Sequence, residues 1–118
     1  MMKLSEVKEI LDAEIIIGDD KMDIELAGGA ASDLMSDLLR NPKEGALLLT
    51  GLTSIQAIRT TVIAGMTAIV FVRGKRPDPE IISYAREQDI AILSSPYNMY
   101  SSCGRLYSKG LRSIRWNI

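Results

Sequence analysis

Three short polar segments each follow an apolar run, and together they gather the residue types that hold a small anion: Thr50-Gly51-Leu52-Thr53-Ser54, Arg73-Gly74-Lys75-Arg76 and Ser94-Ser95. In open parallel sheets, ligands bind beyond the carboxyl ends of the strands, where helix N-termini offer free N–H groups and a positive dipole. Arg73 ranks first among the cations because it directly follows its apolar run, whereas Lys75 and Arg76 lie farther along the turn. A guanidinium fixed in that way loses little entropy on binding. A second stretch, Ala27-Gly28-Gly29-Ala30-Ala31-Ser32-Asp33, is glycine-rich and opens a helical pattern. The candidate ligand-binding set is therefore Gly28, Gly29, Thr50, Gly51, Thr53, Ser54, Arg73, Ser94 and Ser95. A plainer account competes with it. Thr53 and Ser95 would cap helices, Arg73 to Arg76 would form a solvated turn, and the paired glycines would serve a positive φ or a close backbone contact.

Catalytic chemistry finds less support. The chain has no histidine, which removes the commonest general base at neutral pH and the commonest nitrogen ligand of a metal. The acidic pairs Asp19/Asp20 and Asp33/Asp37 read as solvated residues of a turn and of a helix face. Cys103 has only Arg105 as a sequence-near cation, so it reads as a buried or indifferent thiol rather than a nucleophile. Neither a GK[ST] phosphate loop nor GxGxxG is present. No catalytic residue, metal or cofactor is expected.

The elements that must position these residues follow from the periodicity. Ala46 to Thr50, Ala68 to Val72 and Ala91 to Ser94 are continuous apolar runs that start 22 and 23 residues apart, as parallel strands covered on both faces require. Between them lie helical patterns over Thr53 to Ala64, with Ile55, Ile58, Val62 and Ile63 expected inward and Gly65 as terminator, and over Pro79 to Gln88, with Asp78 as N-cap. Tyr97 to Lys109 makes a last helix. Upstream, Ser5 is expected to cap a helix carrying Val7, Ile10 and Leu11, and Ile15 to Ile17 forms a strand. Met22, Ile24 and Leu26 alternate with Asp23 and Glu25, which predicts a second strand paired to the first as a ribbon. Ser32 or Asp33 is expected to cap a helix with Leu34, Met35, Leu38 and Leu39 on one face, ended by Asn41-Pro42. The sum is an α/β domain of three layers, α/β/α, with a mainly parallel sheet.

Length and composition bound the rest. A chain of 118 residues that is 47% hydrophobic suits one domain, here read as 1–118 with a basic tail at 110–118. A net charge of -1 offers no field to attract nucleic acid or an anionic membrane. Val62 to Val72 is too short to span a bilayer. One cysteine and an N-terminus without a signal-like apolar core point to the cytoplasm. After Cys103 the charged residues are Arg105, Lys109, Arg112 and Arg115 alone. Leu111, Ile114, Trp116 and Ile118 make that end apolar as well, which predicts self-association as a dimer unless the tail joins its own sheet as an edge strand.

Leu26 through Leu39, the strand ending in Thr50-Gly51, and Gly104-Arg105-Leu106-Tyr107 together resemble the DRTGG domain family, with Ala27-Gly28-Gly29 standing where Thr-Gly-Gly would be. Glu25 and Leu26 replace the Asp-Arg pair, so no role of that pair carries over. The resemblance spans Leu4 to Leu111. DRTGG domains occur beside phosphotransacetylase catalytic domains, between paired CBS domains of some pyrophosphatases, and as short stand-alone proteins. The resemblance implies a fold like the N-terminal domain of HPr kinase/phosphorylase and a regulatory or associating module, and supplies no catalytic residue; with the strand-end residues it gives a non-catalytic regulatory or ligand-sensing domain, the expected ligand being a small anionic metabolite or nucleotide. The alternative is a protein–protein interaction or dimerisation module acting on a partner enzyme.

Overall fold

The computed structural model describes residues 1–114. Three four-residue runs with every side chain buried form the middle of the sheet: β3 (Leu47–Thr50), β4 (Ala68–Phe71) and β5 (Ala91–Ser94). They pair in parallel, Leu47 beside Ala68 and Ala68 beside Ala91. Two edge strands complete the order β1-β5-β4-β3-β2. On one edge, β1 (Glu14–Ile17) runs antiparallel to β5, with an irregularity between Ile15 and Ile17. On the other, β2 (Gly29–Ala31) runs parallel to β3.

Alternation along the strands divides the core in two. Leu47, Leu49, Val70 and Leu93 point to the layer of α1 (Leu4–Leu11) and α5 (Met99–Ser108). Leu48, Ile69, Phe71 and Ile92 point to the layer of α2 (Met35–Leu38), α3 (Ile55–Ile63) and α4 (Pro79–Glu87). The chain is thus a three-layer α/β/α fold around a mainly parallel sheet. Gly65 at φ +77 ends α3, and Pro79 opens α4 behind Asp78, both at positions that favour those residues.

Four expectations are corrected. Residues 22–26 do not make a ribbon with β1. A 3-10 turn at Asp19–Lys21 redirects the chain, and the segment crosses the start of α1, where Leu4 donates to the Ile24 carbonyl and Leu26 to that of Met2. The alternation was real: Leu26 is buried, Met22 and Ile24 pack on the core, and Asp23 and Glu25 face water. Its partner was not legible, because alternation marks the buried face and not the neighbour: the backbone bonds of this segment go to residues 2–5, while β1 pairs with β5. The cap of α1 is Lys3, whose N–H is held by the Glu6 carboxylate, rather than Ser5. The face of α3 turned to the sheet is Ala57, Ile58, Thr60 and Thr61, whereas Ile63 is 72% exposed and Ile55 and Val62 are exposed as well. The Thr61 hydroxyl on this face is satisfied by the Ala57 carbonyl at 2.8 Å. Finally, α2 is a single turn behind Leu34, and both Leu34 and Leu39 are exposed.

Beyond Gly110, the chain turns back along the outer edge of β2. Gly29 donates to the Arg112 carbonyl at 2.8 Å, and Ile114 donates to that of Gly29 at 2.9 Å. Leu111 is buried and Ile114 packs on the core, so these two residues belong to the chain's own fold. Trp116 and Ile118 lie outside the described residues.

Candidate functional site

A cleft of about 640 Å³ lies at the carboxyl ends of β3 and β4, within the range of small-ligand pockets. Its walls are Gly51, Leu52, Thr53, Ser54 and Ile55 on one side, and Lys75, Asp78, Glu80 and Ile81 on the other. The first set is the turn from β3 into α3, and the second is the approach to α4. Each wall therefore presents the start of a helix of nine residues. Ser54 is the N-cap of α3, yet its side chain makes no capping bond. Its Oγ is buried and has no hydrogen-bond partner among the described residues. A buried hydroxyl without a partner costs free energy, and a ligand oxygen would relieve it.

The cation of this cleft is Lys75, whose Nζ donates to the Gly51 carbonyl at 2.9 Å. Arg73 stands beside it, at φ +62, a left-handed conformation that is unusual for a residue with a side chain. The strain is held by two short bonds: Arg73 N–H to the Tyr97 carbonyl and Gly74 N–H to that of Ser95, both 2.7 Å. These fix the direction in which Arg73 leaves the sheet, and its guanidinium comes close to Gly51. Arg76 is engaged elsewhere, in an ion pair with Glu14 at 2.6 Å.

Asp33 completes the arrangement, and nothing in its sequence context distinguished it from a helix cap. Ser32 does the local work, its Oγ accepting from Leu34 N–H at 2.9 Å. Asp33 instead reaches β3, where one carboxylate oxygen accepts from Gly51 N–H at 2.7 Å and from the Thr50 hydroxyl at 2.9 Å. The Gly51 N–H holds its carboxyl below the ordinary range, partial burial opposes this, and Thr50, Lys75 and Arg73 reinforce it.

The candidate residues thus separate. Gly51, Thr53 and Ser54 line the cleft, Thr50 lies buried beside them with its hydroxyl on Asp33, and Arg73 stands next to Gly51. Ser94 and Ser95 do not join them: Ser94 Oγ donates to the Lys75 carbonyl at 2.8 Å, and Ser95 Oγ pairs with Ser102 Oγ at 3.0 Å. Both hold the turns that carry Lys75 and Tyr97. Gly28 and Gly29 sit at the far end of the β2–β3 pair, beside Leu47. Neither has a positive φ. A Cβ on Gly28 would stand 2.9 Å from the backbone of Ile114, so this glycine makes room for the returning tail rather than for a phosphate.

A second cavity, about 220 Å³, opens between β2 and α5 and is lined by Ala31, Leu49, Cys103, Leu106 and Arg112 among others. Burial pushes the Cys103 thiol up, away from the thiolate form. Among the described residues no cluster of acidic or thiol groups is arranged to hold a metal, and no helix is long and apolar enough to cross a membrane.

The profile of the DRTGG domain matches residues 6–108. Among solved structures, the fold is similar to the CBS and DRTGG domains of the regulatory region of Clostridium perfringens pyrophosphatase, complexed with its activator, diadenosine tetraphosphate. The TM-score is 0.73 at 18% identity, over 95% of this chain and 48% of that one. The chain thus spans about half the length of that structure, and the likeness is one of fold. No curated protein matches the sequence.

Proposed function

Because this chain belongs to the DRTGG domain family, we propose that it is a non-catalytic regulatory module of the cytoplasm whose strand-end cleft senses a small anionic metabolite or nucleotide. The observation that carries this reading is the cleft itself: Lys75 donates to the Gly51 carbonyl, the Arg73 guanidinium comes close to Gly51, and the start of α3, with the unpartnered Ser54 hydroxyl buried behind it, forms one wall. The Gly51 end of the cleft, with these two cations beside it, suits an oxyanion, whereas Asp78 and Glu80, farther along the wall that carries Lys75, suit the hydroxyls or amino groups of the ligand's other end. The pyrophosphatase region that shares this fold binds a dinucleotide tetraphosphate, which supports a phosphorylated ligand without identifying it.

Thermal melting tests the proposal with adenine nucleotides, acyl phosphates and sugar phosphates. A ligand present at one hundred times its dissociation constant raises stability by about 2.7 kcal/mol, roughly 10 °C for a domain of this size. Lys75→Ala and Arg73→Ala should each reduce that shift, and raised salt should weaken it. If no compound moves the melt, the cleft is a pair of helix starts and a second reading replaces this one. Under it the chain is an interaction or dimerisation module acting on a partner enzyme. That reading is favoured by Ile55, Val62 and Ile63, which leave the outer side of α3 apolar and exposed.

A further inference from the structure

We infer that Asp33 is a resident substitute for the ligand: its carboxylate occupies an oxyanion subsite formed by Gly51 N–H and Thr50 Oγ1, and a phosphoryl group binds there by displacing it. The inference rests on the reading that the strand-end cleft binds an anion, and it assigns the place of the anionic group and the consequence of its arrival.

Three observations converge. Asp33 comes from the β2–α2 connection rather than from the turn it bonds, so its carboxylate enters the subsite as a foreign ligand would, accepting at 2.7 and 2.9 Å. Two cations flank the position, yet among the described residues neither Arg73 nor Lys75 forms an ion pair with any carboxylate. Asp33 brings a single negative charge to a position beside two cations, and a phosphoryl dianion in the same place would bring a second. Asp33 is also exposed, and its removal from the subsite requires no core movement.

Displacement has a readout elsewhere in the chain. Asp33 ties the start of α2 to the end of β3, and α2 is four residues long, anchored by Met35 and Leu38. Freed from Gly51, residues 33–38 lose their tie to the turn after β3, while Ser32 N–H still donates to the Leu49 carbonyl at 3.2 Å. Ligand binding is thereby reported at the exposed Leu34 and Leu39, on the same side of the sheet as α3.

The experiment titrates inorganic phosphate and ATP into the full chain, following backbone amides by NMR, for the wild type, Asp33→Asn, Asp33→Ala and the control Asp37→Asn. The expected result is tighter phosphate binding, by tenfold or more, in both Asp33 variants and an unchanged affinity in Asp37→Asn, which removes an equal charge from the same segment. In the wild type, phosphate should shift the Gly51 amide and speed hydrogen exchange over residues 33–38. Asp33→Asn keeps the acceptor oxygen and guards against a folding defect in Asp33→Ala. ATP binding without phosphate binding would support the subsite if Gly51 still shifts and the Asp33 variants still gain. Equal affinity in wild type and both Asp33 variants overturns the subsite while leaving the cleft as a ligand site. Absence of binding by either probe in every variant overturns both.

Discussion

The carboxylate of Asp33 and the amide of Gly51 meet at 2.7 Å although eighteen residues separate them, and this bond joins the β2–α2 turn to the end of β3. A bond of this kind depends on the carboxylate charge, which makes it visible in the acid limb of the stability curve. Asp33 has a lower pKa in the folded state than the ordinary 3.8, chiefly through Gly51 N–H. Such a carboxyl contributes its stabilisation fully above its unfolded value and loses it as pH falls through the folded value. The melting temperature of Asp33→Asn should therefore lie below that of the wild type at neutral pH, by the equivalent of less than about 1 kcal/mol because solvent screens the exposed group. The gap should begin to narrow near the unfolded carboxyl value, at about pH 4, and close as pH falls through the lower folded value. A gap that stays constant from pH 7 to pH 3 would show that the charge is not felt.

Two glycines should respond to alanine in opposite directions. Gly28 faces the Ile114 backbone at 2.9 Å, so Gly28→Ala must push the returning tail away from β2, at a cost of about 1–3 kcal/mol. Gly104 lies within α5 with nothing near its missing Cβ, so Gly104→Ala should stabilise by about 0.5–1 kcal/mol. Urea melts of both variants decide it. If Gly28→Ala is neutral, the tail does not hold the position described.

Leu111 separates an intramolecular role of the tail from an intermolecular one. It is 6% exposed within the cluster that contains Leu49 and Leu106, so Leu111→Ala should lower stability by about 2–4 kcal/mol at any protein concentration. Loss of a dimer with an unchanged monomer melt would contradict that placement.

The outer side of α3 is where we expect a second copy or a partner to pack. Ile63→Lys should leave the monomer's stability within about 0.5 kcal/mol, because the side chain is 72% exposed. If the chain self-associates through this face, light scattering should report a dimer for the wild type and a monomer for Ile63→Lys. A dimer that survives the substitution places the interface elsewhere.

The layers and their central strands were determined by the sequence, since Ala46 to Leu49, Ala68 to Val72 and Ala91 to Leu93 are apolar without interruption. Only a strand covered on both faces tolerates such a run, and the glycine and proline between runs mark where the helices stop and start. The polar ends of β3 and β4 follow from the same register, which is why Thr50, Gly51, Thr53 and Ser54 were legible as candidates. What tertiary structure alone decided is the identity of their partners. Alternation shows which side of residues 22–26 is buried but not which strand they approach, and apolar residues on α3 do not declare which of two apolar flanks meets the sheet. Asp33 is the sharpest case. Its local options, a cap or a solvated acid, are both satisfied by sequence logic, and its actual bonds go to a strand eighteen residues away. A hydrogen bond is short-ranged in space and indifferent to distance along the chain, so its choice among equally polar partners is made only when the layers have packed.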